Sequence, residues 1–136
     1  YGDIKLMKKN FNGFALIEVI IVVILVSGSF LVFLEALSQT KTLQVRSEVV
    51  SKQTMVLNQK INQFRAAGFD NVNGILNYTT VSNNPAFQYS LNVSFVNENL
   101  ELISNAQTDY KLVEVKVRHN SDEYSPIKDI FLMTKK

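Results

Sequence analysis

Gly13-Phe14-Ala15-Leu16-Ile17-Glu18-Val19-Ile20-Ile21-Val22-Val23-Ile24-Leu25-Val26 is the stretch that decides the fold, and the apolar run it opens continues to Leu34. Glu18 is the one charged side chain in residues 14–34. As a helix rising 1.5 Å per residue, the run is roughly 30 Å long, about the thickness of a bilayer's hydrocarbon core. Lys8 and Lys9 precede it. Because Lys and Arg favour the cytoplasmic side of a membrane, this end is expected to stay inside while the rest of the chain faces outward. Glu18 is the anomaly. A carboxylate at mid-membrane costs about 2.5 to 3.5 kcal/mol on insertion scales, which makes an intramembrane acid a functional residue by default. It lies one turn into the run, roughly 6 Å deep, where the positive end of the helix dipole lowers that cost.

Lys8-Lys9, Gly13, Phe14-Ala15-Leu16-Ile17-Glu18 and the unbroken apolar stretch together resemble the prepilin leader and N-terminal helix of the type IV pilin family. That family includes minor pilins and the pseudopilins of type II secretion. The resemblance implies cleavage after Gly13 by a membrane-embedded prepilin peptidase, and N-methylation of the new terminus at Phe14. Ala15 stands where the usual motif has Thr, a small-residue exchange. It further implies a structural role with no catalytic residue, metal or cofactor. The implied partners are other pilin or pseudopilin subunits, the peptidase, and an inner-membrane assembly platform driven by a cytoplasmic ATPase. Met7 followed by Lys8-Lys9 would make a short leader on its own, with residues 1–6 lying upstream of it.

Charge gives the motif a physical reason. Before cleavage the nearest cations to Glu18 are the leader lysines. Cleavage creates an amine at Phe14 that can face Glu18 of a neighbouring subunit in a low-dielectric filament core. There the pair attracts far more strongly than in water, and removing one partner strands a buried charge at about 3 to 5 kcal/mol. Glu18 is therefore expected to act in register and assembly. An ordinary signal sequence is the competing reading, with residues 14–26 as its apolar region and Ser27-Gly28-Ser29 as its cleavage site. It leaves Glu18, and the return of apolar sequence after Ser29, without a purpose. A plain single-span anchor leaves Gly13 and Glu18 unexplained.

Residues 35–67 hold neither Pro nor Gly, and Leu43, Val49, Val50, Val56, Leu57, Ile61 and Phe64 recur at helical spacing. Gly68 reads as the stop signal. One helix from near Phe14 to near Ala67 is expected, its first half in the membrane and its second half packed on a sheet. Residues 69–85, rich in Asn, Gly, Thr and Ser, read as a connecting loop in which Val72, Ile75, Leu76 and Tyr78 either pack over the sheet edge or meet other subunits. Phe87, Tyr89, Leu91, Val93 and Phe95 alternate with polar residues, as do Val113, Val115 and Val117, predicting two half-buried strands. A third is expected over residues 127–134, with Pro126 at its start. Three strands and no disulfide favour a minor member of the family.

The fold class is thus α+β and pilin-like. Residues 1–13 form the leader, 14–34 the membrane and filament-core half of the helix, 35–67 its amphipathic half, and 68–136 a connection and antiparallel sheet. Of fourteen Lys and Arg and twelve Asp and Glu, three basic and one acidic precede Phe14, leaving eleven of each in the mature chain. That balance gives no firm nucleic-acid signal. There is no cysteine, and His119, the one histidine, reads as an exposed loop residue. Asp109, Asp122 and Glu123 match no calcium-loop spacing. No phosphate loop, nucleotide fingerprint or nucleophile elbow occurs, so an enzyme is not expected.

Overall fold

The computed structural model describes residues 12–104 and 108–135, with side chains from Ala15 onward. A single helix, α1, runs Asn12–Ala67. Four antiparallel strands follow: β1 (Ile75–Val81), β2 (Asn84–Val96), β3 (Tyr110–His119) and β4 (Ile127–Thr134), ordered β1-β2-β3-β4. The architecture is α+β, one long N-terminal helix packed on a small sheet, as the periodicities predict.

The chain divides into two units between Leu43 and Gln44. In the first, α1 stays helical through Ser27-Gly28-Ser29, and the Ser29 hydroxyl donates back to the Leu25 carbonyl at 2.8 Å. That bond satisfies a polar group without breaking the ladder.

In the second unit, Val56, Leu57 and Ile61 of α1 pack with Phe87 and Leu91 of β2, Val113, Val115 and Val117 of β3, and Phe131 and Met133 of β4. The three β3 valines are 0% exposed, as the alternation requires of a strand with one face on a helix. Leu43 and Val50, both at helical spacing, are exposed and contribute nothing to this core. The β2–β3 ladder is regular from Phe87↔His119 to Val96↔Tyr110, and the β3–β4 ladder from Tyr110↔Thr134 to Val117↔Ile127.

The helix ends where expected. Gly68 adopts φ +84°, a left-handed conformation that opposes further helix, and the Asn71 side chain donates to the Ala67 carbonyl at 2.8 Å.

The connection differs from the loop expected over residues 69–85. A one-turn 3-10 helix, Phe69–Asn71, is followed by β1, a fourth strand. β1 is hidden in the sequence because its pairing with β2 slips between Leu76 and Thr79, which breaks the period-two pattern. Val72 is buried and joins the core, whereas Ile75, 77% exposed, does not. With four strands in place, the small sheet no longer argues for a minor member.

Candidate functional site

Fifteen large apolar side chains between Leu16 and Leu34 are each 46–68% exposed. Burying them elsewhere would release on the order of 10 to 25 kcal/mol. Such a surface needs lipid or other apolar helices around it, and this part of α1 is long and apolar enough to cross a membrane. Glu18 stands exposed among them, one turn from Val22 on the same face. Among the described residues no cation lies within ion-pair distance of it. Lys8 and Lys9 lie outside the described residues, and of Gly13 and Phe14 only the helical backbone is described. What this arrangement supplies is an apolar surface carrying one acid.

Two buried polar residues fix the second unit, and each occupies a core-facing position of its element. Gln53 lies four residues after Val49 and four before Leu57, on the core stripe. It is 0% exposed, and its amide nitrogen donates to the carbonyls of Val117 at 2.8 Å and Ser125 at 3.1 Å. Both partners being acceptors, the nitrogen must face them, and among the described residues the side-chain oxygen Oε1 is left buried without a partner. Lys111 lies two residues before Val113 and so shares its inward face. It is 2% exposed, and Nζ donates to Phe69 O at 2.6 Å, Val72 O at 3.1 Å and Asn73 Oδ1 at 2.6 Å. All three ammonium protons are matched. The Phe69 ring lies 4.1 Å from Nζ and the Phe95 ring 5.3 Å, as in cation–π packing. Burial pushes the Lys111 ammonium below the usual lysine range; Asp70 opposes that shift and Lys135 adds to it.

The outer face of the sheet carries charged side chains beside the exposed Ile130 and Leu132. Glu114 pairs with Lys116 at 2.9 Å and Lys128 at 3.4 Å, separating two lysines that the register sets directly opposite each other. The Lys116 hydrogen bond, then its charge and the contacts of Lys128, hold Glu114 below the usual carboxylate range against the opposing effect of burial. Arg118 lies 4.0 Å over the Tyr78 ring and donates from Nε to Gln88 Oε1 at 2.9 Å.

His119 is not the exposed loop residue expected. It ends β3 half-buried, its ring 5.2 Å from Phe87 and 5.0 Å from Tyr124, with Nδ1 accepting from the Ser121 amide at 3.0 Å. The aromatic residues on either side of the turn draw it inward, which a lone histidine in a polar segment does not advertise. Asp109 precedes β3 while Asp122 and Glu123 follow it, so the three acids lie at opposite ends of one strand. No family model, curated protein or solved structure matches this chain.

Proposed function

We propose that this chain is a pilin-like structural subunit, a pilin or pseudopilin, with no catalytic role. In this reading Lys8 and Lys9 hold the leader in the cytoplasm, prepilin peptidase cuts between Gly13 and Phe14, and Phe14 is N-methylated. The subunit then waits in the bacterial inner membrane through residues 14–34, with its sheet domain outside the cytoplasm. An assembly platform draws it into a type IV pilus or type II secretion pseudopilus beside other subunits.

One observation carries the reading: a uniformly exposed apolar helix with a single acid one turn inside it. An anchor needs the apolar surface but not the acid. A filament needs both. The apolar side chains pass from lipid to neighbouring helices without meeting water, so extraction costs little hydrophobic free energy. Glu18 then pairs with the Phe14 amine of an adjacent subunit, which fixes the axial register because an offset leaves both charges unpaired.

The test is Glu18→Ala in the native cell. Cleavage should proceed as in the unaltered protein, while the amount recovered in sheared filaments falls at least about tenfold, the consequence of stranding one buried charge. Incorporation at the unaltered level would overturn the role assigned to Glu18.

A further inference from the structure

The segment between α1 and β2 is held differently from the rest of the sheet domain. Residues 68–74 are bracketed by two glycines at positive φ, Gly68 at +84° and Gly74 at +81°. No other described glycine has positive φ. A Cβ at either position would meet nothing within 4 Å, so conformation and not crowding selects glycine there. Between them the chain is fastened chiefly by one side chain. Lys111 Nζ takes two backbone carbonyls, Phe69 O and Val72 O, and the Asn73 side chain. Asn73 in turn donates from Nδ2 to Asp70 O at 2.6 Å, which holds its carboxamide oxygen toward the lysine. Within the segment Val72, 2% exposed, is the one fully buried apolar side chain among the described residues, and half-buried Phe69 packs against the core beside it.

β1, which continues from this segment, is the weakest strand. It lies at the sheet edge, its ladder with β2 is interrupted twice, and of its seven residues only Val81 is buried. On β3, by contrast, four alternate residues are buried at 2% or less. Detaching residues 68–81 would uncover two core valines and leave the three-stranded sheet with α1 intact. Segments with so few buried contacts open first in native proteins.

We infer that residues 68–81 form a hinged strap that opens as one unit between Gly68 and the turn into β2, with the buried ammonium of Lys111 as the latch. A lysine ammonium carried on a core strand supplements the sparse apolar packing of the strap. The charged groups around the latch are Asp70 on the strap, Asp109 before β3 and Lys135 after β4, which share one polar cavity with Asn73, Thr108 and Lys111. Arg118 against Tyr78 is a second hold, on the opposite face. The inference does not depend on the filament reading.

Amide hydrogen exchange on the full chain in detergent micelles tests it. In the unaltered protein, amides of residues 69–81 should exchange together and ahead of those in β3 and β4. Lys111→Met, which keeps the stem and removes the three charged hydrogen bonds, should speed exchange in 69–81 roughly ten- to a hundredfold while β3 and β4 change by less than about threefold. Uniform protection across all four strands in the unaltered protein, or an equal loss everywhere in the variant, would overturn the strap. Should Lys111→Met fail to fold, Asn73→Ala at the exposed rim carries the same comparison. It removes one of the three acceptors, so the expected gain is smaller but confined to the same residues.

Discussion

Gln53 offers the sharpest test of how α1 is registered on the sheet. Its amide is fully enclosed, spans from the helix to the end of β3 and the turn beyond, and leaves Oε1 without a partner. Replacing Gln53 with Glu turns an acceptor toward two carbonyl oxygens, where the amide nitrogen had donated. The carboxyl must then take up a proton, after which it satisfies one carbonyl at most, or remain charged and buried; either outcome costs about 3 to 5 kcal/mol. Gln53→Met loses two hydrogen bonds, about 1 to 3 kcal/mol together, but also removes the orphan oxygen, whose burial costs about the same. The Met variant should therefore lie within about 2 kcal/mol of the parent. Thermal unfolding of the full chain in micelles, followed by the near-ultraviolet signal of its tyrosines, reads the difference. For a domain of this size 1 kcal/mol corresponds to about 4 to 8 °C, so the Glu variant should melt at least about 12 °C below the parent and the Met variant far less. A Glu variant as stable as the parent, or a Met variant worse than the Glu variant, would refute the donor assignment and the register argument with it.

Two further outcomes follow from the sheet. Glu114 is held below the usual carboxylate range by Lys116 and Lys128, so its contribution is fully present above that range and is lost as pH falls through its lowered value. Melting from about pH 6 down to about pH 3 should decline less steeply in Glu114→Gln than in the parent, the difference staying under about 1 kcal/mol as befits a partly solvated pair. Identical slopes would remove Glu114 from the acid response. Val115→Ala, at a position 0% exposed in the central ladder, should cost about 2 to 3 kcal/mol and lower the melting point accordingly, whereas an unchanged melting point would mean the core collapses freely at that site.

The helix was legible because two independent signals agree over residues 15–67: an apolar run of membrane length, then a core stripe ending at a glycine. β2 and β3 were legible because one face of each is buried and the period of two survives; β4, whose Ile130-Phe131-Leu132-Met133 run does not alternate, was placed by Pro126 at its start. β1 was not, since an edge strand that buries only Val81 has no need of alternation, and the slip after Leu76 erases what there was. Gln53 and Lys111 were written in the pattern but obscured by residue type. Each occupies an apolar position of its element, and a polar residue there reads as an interruption until its partners, sixty-four and about forty residues away in sequence, come into view. His119 was misread for the converse reason, because its aromatic neighbours Phe87 and Tyr124 are brought together only by the hairpin ladder and turn. Glu18 remains the residue whose meaning rests on chemistry beyond a single chain, for its proposed partner forms only on cleavage.

That chemistry is open to one direct measurement, mass spectrometry of the N-terminal peptide from the protein isolated from its native cell. The filament account predicts a mature chain that begins at Phe14 with a methylated amino group and keeps the apolar helix through Leu34. A mature chain that retains Lys8 and Lys9, or one that begins near Phe30 after ordinary signal cleavage, would contradict it.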